Sequence, residues 1–576
     1  MIDQSLFSIS AWRELRQGAR ILFLLEAPSS QEQYEKRPAV GPAGQVLWQC
    51  ATATGVFRPQ VSILSVFPAA VTKNERQGSM TLRGETVFSR QGFTPAGEAH
   101  AERARSIIRE LRPNVIVTFG VPALVALYPD KRLQKLRGSL LWSDAVGCKF
   151  IPTVHPSFIL HGNAIYRQVL GRDLAKAKRE SETPDLIRMD RLLHLNPTAK
   201  QAIDFLHTAR DARKCASDIE NLGPMLDCFS VALSAREAMC FTLFPAVWNE
   251  WEQVSVLRAY AELLGDTKVA KINHNILYDL WFLYHQYKIV PGGPLFDTMV
   301  AFSVMYPTIT RETSGAAFDA AGAAGTTEKD KETPGFPKAL HFVCSLYSEQ
   351  PYYKDEGKVV IRPDGTSDYD GRHRYNALDS AVAFEIADKL GPELDERGYR
   401  QTHDMTVMQI GSAIAIQATG IKVDLDALRQ ERERITSRMA QLERDLEAML
   451  GYRMNLASST QLCRHFYGDP LEYPGSRGVR PYLSKEGRPT CNENALMRIR
   501  RRDNLPECDL LLEWRNLHTF QKMFLNTQLD ADGRFRTSID LRGSRFGRWS
   551  TSATVFGTGG NLQNLDPRLR GFLRAD

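Results

Sequence analysis

Two carboxylates set two residues apart constrain this chain more than any other feature. They are Asp218 and Glu220, in Lys214-Cys215-Ala216-Ser217-Asp218-Ile219-Glu220-Asn221-Leu222. The run reads as a β-strand, in which side chains repeat every two residues, so both acids leave the same face. Like charges held that close repel, and a divalent cation neutralises them well. The fold therefore has to bring further oxygen ligands from elsewhere. The candidates are Asp279, in Asn275-Ile276-Leu277-Tyr278-Asp279, and Asp379, in Tyr375-Asn376-Ala377-Leu378-Asp379. The spacing of Tyr375 and Asp379 puts a phenol and a carboxylate one helical turn apart on one face.

Read in order, Asp-x-Glu, Asn-x-x-x-Asp and Tyr-x-x-x-Asp resemble the three motifs of the proofreading 3′–5′ exonuclease domain of family A DNA polymerases. The resemblance implies a ribonuclease-H-like fold over residues 186–395 and two divalent metal ions, Mg2+ or Mn2+. Phosphodiester hydrolysis needs an activated water and a stabilised leaving oxygen, and paired ions about 4 Å apart supply both. By resemblance, Asp218 would bridge the ions and Glu220 and Asp379 would hold the first. Asp279 would bind the second through water, and Tyr375 would orient the attacking water. His274 beside the second motif reads as structural, and Asp297 as a helix N-cap. Leu186–Lys200 reads as a linking helix or arm. The Ala- and Gly-rich stretch from Thr308 to Lys338 reads as a surface loop, with a DNA-contacting flap as the alternative.

A chain of 576 residues exceeds what one core supports, so several domains are expected. Its net charge of +6 permits nucleic-acid binding without arguing for it, and any basic surface must be local. No apolar run is long enough to span a membrane and the N-terminus has no signal-peptide pattern, so a cytoplasmic location is expected. The nine cysteines are scattered with no Cys-x-x-Cys, which suits reduced thiols buried as small hydrophobes, neither a disulfide frame nor a zinc site.

In the first 185 residues, the apolar runs Arg20–Leu25, Val61–Phe67, Asn114–Gly120 and Phe150–Val154 alternate with helical stretches. That alternation predicts an α/β/α sandwich with its ligands at the strand C-termini. Glu26 and Pro28, Pro38-Ala39-Val40-Gly41-Pro42-Ala43-Gly44, Arg137-Gly138 and His155-Pro156-Ser157 resemble the uracil-DNA glycosylase superfamily, nearest its iron–sulfur branch. Ala39 stands where the family stacks a phenylalanine on the flipped uracil, and Ser65 where it reads the base with Asn. The cluster cysteines have no counterparts, so no iron–sulfur cluster is expected. The glycosylase-like pocket of Glu26, Pro28, Ser65 and His155 is therefore expected to have lost efficient base excision, because flipping enzymes need a stacking surface and base-edge hydrogen bonds.

Beyond residue 395, an apolar helix is expected over 400–420. A helix from Asp424 carries Leu428, Ile435, Leu442 and Met449 at seven-residue spacing, with Met439 and Leu446 between, as one half of an antiparallel pair. Ser458 or Ser459 reads as the cap of the helix that follows. Phe546-Gly547-Arg548-Trp549-Ser550-Thr551-Ser552 and Asn561-Leu562-Gln563-Asn564-Leu565 resemble the start of the family A palm. Arg548, Gln563 and Asn564 are the expected DNA contacts, by sequence-independent backbone and minor-groove recognition.

The expected architecture is thus a glycosylase-like domain (1–185), an exonuclease (186–395), a helical thumb (396–535) and the start of a palm (536–576), with primer-template and single-stranded DNA as partners. In the family, the palm's metal-binding motifs lie beyond the last residue here. The chain is then expected to be either part of a longer polymerase, of bacteriophage type and active in a host cytoplasm, or half of a split one whose palm and fingers are a separate chain. A repair exonuclease with an active uracil-excising domain and a non-catalytic DNA-binding accessory remain as rival readings.

Overall fold

The computed structural model describes residues 7–74, 79–130, 132–161, 166–307, 338–358, 360–361, 367–484, 487–544 and 546–574. The Ala- and Gly-rich stretch expected as a loop lies almost wholly outside them. The chain forms two compact units, Met1–Ile414 with Leu541–Arg548, and Ala415–Asp540 with Trp549–Asp576.

The first unit opens with strands β1 (Arg13–Glu14), β2 (Ile21–Leu25), β3 (Val61–Ser65), β4 (Val115–Phe119), β5 (Leu141–Ser143) and β6 (Cys148–Thr153), in spatial order β1-β3-β2-β4-β6-β5. The four inner strands are parallel and the two edges antiparallel. All five residues of β2 are buried, as a parallel strand covered on both faces requires. Ile21, Phe23 and Leu25 pack with helices α1 (Pro42–Ala53) and α3 (Tyr166–Glu180), whereas Leu22 and Leu24 pack with α2 (Pro95–Leu111). A small four-stranded antiparallel sheet, 72–74, 79–82, 85–89 and 92–93, is inserted between β3 and α2.

A second mixed sheet follows: β7 (Leu192–His194), β8 (Lys214–Leu222), β9 (Met225–Ser234), β10 (Glu237–Thr242), β11 (Ala270–Asn273) and β12 (Leu295–Asp297), ordered β7-β10-β9-β8-β11-β12. The linking helix expected over 186–200 is corrected here. Leu192–His194 is a strand, lying parallel to β10, because an open sheet edge offers unpaired backbone groups to any nearby extended segment. Thr198 then caps α4 (Ala199–Asp211) in a reciprocal box with Gln201. Helices α5 (Glu250–Gly265), α6 (Ile276–Tyr287), α7 (Thr298–Met305), α8 (Leu340–Tyr347) and α9 (Asp370–Glu396) complete the domain. Asp297 caps α7 through the amides of Met299 and Val300 and also takes those of Asn275 and Ile276, tying the starts of two helices together. One sheet face carries the stacked rings of Phe229, Phe241 and Tyr260. The other is lined by Ala216, Cys228, Ala232, Ala238 and Cys240, small residues that let Ala377 and Ala381 of α9 approach closely.

The two sheet domains share a buried, charged seam. Lys176 Nζ of α3 donates to the carbonyls of Gly138, Ser345 and Ser348 at 2.7–3.0 Å. Arg172 pairs with Glu393 of α9 at 2.6 Å, and Arg137, itself paired with Asp173, donates to Ser345 Oγ. The single apolar helix expected over 400–420 is also corrected: it is two, Arg400–Val407 and Ile410–Thr419. The first is held on the exonuclease domain by Arg400, bonded to Asp395 and the Gly391 carbonyl, and by the His403 ring against Phe296. The chain turns at Met408-Gln409, between the two helices.

In the second unit, α10 (Leu425–Leu450) runs antiparallel to α11 (Glu507–Phe520), as the pairs Thr436–Gln521 and Glu443–Trp514 require. Leu428, Ile435, Met439, Leu442 and Leu446 are buried along the seam, but Met449 leaves it and is 44% exposed. Ser458 is the cap of Ser459–Tyr467.

Candidate active site

Asp218 and Glu220 of β8 turn toward α9, which supplies Tyr375, Asn376 and Asp379. Asn376 Nδ2 donates to Asp218 Oδ2 at 2.9 Å, fixing that carboxylate. Oxygens of Asp218, Glu220 and Asp379 all lie within 4.8 Å of one another. Asp279, in the first turn of α6, stands just outside this trio and accepts a hydrogen bond from Asn273 Nδ2 at 2.7 Å. Its charge and those of Glu220 and Asp379 act on Asp218.

Burial, reinforced by the charges of Asp379, Asp279 and Glu220, holds the Asp218 carboxyl well above the usual range. Asp279 is raised likewise, with burial the main cause. Glu220 is pushed up to about 7, again mainly by burial, with Arg372 opposing and Asp379 adding. Acids so destabilised in their charged form gain most from a cation. An all-oxygen donor set of this kind fits a hard divalent ion such as Mg2+ or Mn2+.

Two protein cations already face the acids, and neither stands out in the sequence. Lys354 Nζ lies 2.6 Å from Asp379 Oδ2 and also contacts the Tyr375 hydroxyl. Arg372 pairs with Glu220 at 3.1 Å and with Asp227. Tyr353 donates to Asp379 Oδ1 at 2.5 Å. The backbone at Gly357 presses on the Tyr375 ring so closely that a Cβ there would sit 3.0 Å from it. Lys354 stands in the run Tyr352-Tyr353-Lys354-Asp355 ahead of the third motif, but partners for a lysine cannot be read from spacing. His274 uses both ring nitrogens, toward Thr298 Oγ1 and the Lys338 carbonyl at 2.8 Å each, and burial lowers its pKa to about 3. It is a brace between elements.

The first domain gathers its own constellation at the C-terminal ends of β2, β3 and β6. Glu26 follows β2, Ser65 ends β3 beside Leu25, and His155 follows β6. Glu26 is 7% exposed and is held by Lys73 Nζ at 2.7 Å. Burial lowers the pKa of His155, with the charge of Glu26 opposing, and His155 Nδ1 accepts from the Ser157 amide. Gly120 is required there, since a Cβ would lie 2.1 Å from Glu26 Oε1. Pro28 stays in the loop after β2. Ala39 is 2% exposed in a left-handed conformation, and its carbonyl is bonded by Trp48 Nε1 and Arg58 Nη1. It therefore offers no face on which a base could stack.

Of the expected DNA contacts, Arg548 is exposed and belongs to the first unit, whereas Gln563 and Asn564 are exposed and belong to the second. Gln563 Nε2 donates to the Trp549 carbonyl at 2.8 Å.

Residues 13–174 match the uracil DNA glycosylase superfamily. The type-4 uracil-DNA glycosylase of Thermotoga maritima is 30% identical over 166 residues, covering 28% of this chain and 76% of that protein. The chain belongs to the uracil-DNA glycosylase superfamily. The Saccharolobus solfataricus type-4 enzyme is 27% identical over 185 residues, 31% of this chain and 77% of its own. Fused to this superfamily domain is a second one, since residues 226–395 match the family described as 3′–5′ exonuclease. That match begins after Asp218 and Glu220, which join the site through the pairing of β8 with β9. Among solved structures, the POL domain of Pol1 from M. smegmatis in complex with DNA primer-template and dNTP is similar at 16% identity and a TM-score of 0.46. That likeness covers 65% of this chain, and the chain spans about half (56%) of that structure's length. Among the described residues, no helix is long and apolar enough to cross a membrane.

Proposed function

We propose that the exonuclease domain removes nucleotides from DNA 3′ ends in a metal-dependent reaction that serves the proofreading of a family A polymerase. The observation that carries this reading is the convergence of Asp218, Glu220 and Asp379 within 4.8 Å, with Asp279 beside them. These four would hold two divalent ions. When bound, such ions lower the pKa of water and stabilise the leaving oxygen. The chain's own groups do the rest. Asn376 and Tyr353 orient the carboxylates of Asp218 and Asp379. Tyr375, held by Lys354 and Gly357, positions the attacking water with its hydroxyl.

In this reading residues 1–185 form the glycosylase-like domain, 186–395 the exonuclease, 396–535 a thumb and 536–576 the beginning of a palm. Arg548, Gln563 and Asn564 contact primer-template backbone and minor groove, and single strands reach the nuclease. The rival reading, repair with active uracil excision, is favoured by the presence of Glu26 and His155 just after β2 and β6. It is disfavoured by the buried Ala39 and by Lys73 capping Glu26.

The test is digestion of a 3′-labelled single strand with Mg2+ or Mn2+. Asp218→Ala with Glu220→Ala is expected to leave the fold intact by circular dichroism and to reduce digestion at least a thousandfold. Full digestion by that double variant would overturn the assignment.

A further inference from the structure

Beside the nuclease acids lies a second cluster of a different chemical kind. Asp227, Cys228 and His373 each place one ligand atom within 4.8 Å of the other two, and all three are buried. Asp227 and Cys228 open β9, next to the bulge that shifts the β8–β9 register after Glu220, and His373 lies in the first turn of α9. The consecutive residues Asp227 and Cys228 thus converge on one point, which a regular strand would forbid.

Among the described residues, several polar atoms around this point lack a hydrogen-bond partner. Asp227 Oδ1 and both ring nitrogens of His373 make no hydrogen bond. The Phe244 backbone lies near enough to favour the charged ring but outside hydrogen-bonding geometry. Thr242, the cross-strand neighbour of Cys228, is wholly buried with its hydroxyl also unpaired. An orphaned buried polar atom costs about 1–3 kcal/mol, and a cation held by Asp227 Oδ1 and one His373 ring nitrogen would satisfy two of these four.

We propose that Asp227, Cys228 and His373 bind a structural zinc-class divalent cation between β9 and the first turn of α9. Mixed oxygen, sulfur and nitrogen ligands suit Zn2+, whereas the all-carboxylate nuclease trio suits Mg2+ or Mn2+. Water or the neighbouring Cys240, which lies in contact with Cys228, completes four-coordination.

Arg372 pairs with both Asp227 and Glu220, linking the two clusters. The cation would pin the start of α9 to the sheet. In doing so it would fix Arg372 against Glu220, and Tyr375 and Asp379 further along the same helix. The proposal is independent of whether the nuclease reading holds.

The experiment is titration of Co2+ into the full metal-free chain carrying Asp218→Ala and Glu220→Ala, which removes the nuclease trio. The expected result is one equivalent of tetrahedral cobalt with a thiolate charge-transfer band, displaced by Zn2+. Cys228→Ser should abolish the band, and His373→Gln should weaken binding at least tenfold with the fold retained by circular dichroism. Either variant suffices if the other fails to fold. Absence of the band, or a band undiminished in Cys228→Ser, would overturn the proposal. The latter would point to Cys463 and Cys491, whose sulfurs lie 3.5 Å apart.

Discussion

Replacing Glu220 by Gln should stabilise the metal-free protein while disabling its candidate metal site. Gln copies the protonated acid in shape, so the structure itself gives the size of the effect. The Glu220 carboxyl rises from 4.5 to about 7 on folding, chiefly because burial disfavours its charge. Between those pH values the folded state binds the proton that the unfolded chain has released, so stability falls as pH rises. At about 1.4 kcal/mol per pH unit, the full loss above pH 7 is about 3 kcal/mol. The side chain is 22% exposed, so the realised gain in the variant is set at about 2 kcal/mol. The assay is urea unfolding in EDTA at pH 8 and at pH 4.5. The variant should be more stable at pH 8 and the difference should shrink toward zero at pH 4.5. Added Mg2+ should then reverse the order, because a site at a hundredfold its Kd gains about 2.7 kcal/mol in the wild type alone. A variant no more stable than wild type at pH 8 in EDTA, or equally stabilised at both pH values, would refute the reasoning.

Two further outcomes are expected. Lys354→Met removes the ammonium 2.6 Å from Asp379 and the contact to Tyr375, and should lower kcat for single-strand digestion at least tenfold. It should also cost about 1–3 kcal/mol of metal-free stability, the size of a hydrogen bond to a charged group, measured by the same urea titration. The full chain should release no measurable uracil from a labelled single strand, since Ala39 presents no stacking surface. Release that disappears on His155→Ala would establish active excision instead.

The residues that declare themselves in the sequence do so because local geometry fixes them. Asp218 and Glu220 share a strand face, Tyr375 and Asp379 a helix face, and Asp297 and Ser458 are caps that accept from amides two or three residues on. What escaped the sequence depends on distant partners. Leu192–His194 is too short for a periodic signal and is extended only because β10 has a free edge. Met408-Gln409 holds neither proline nor glycine, so nothing local announces the break between helices. Lys354 and Arg372 are ordinary cations until the fold sets them against Asp379 and Glu220.

The contact of Lys176 and Arg172 with the nuclease half bears on how this chain should be dissected in the laboratory. A cut at residue 185 would strip the Ser345 and Ser348 carbonyls of their ammonium donor and leave Glu393 without Arg172. The liberated nuclease would carry a raw polar scar where a finished surface is needed, and its behaviour would report the wound as much as the enzyme. Single-residue surgery on the intact chain is the cleaner instrument.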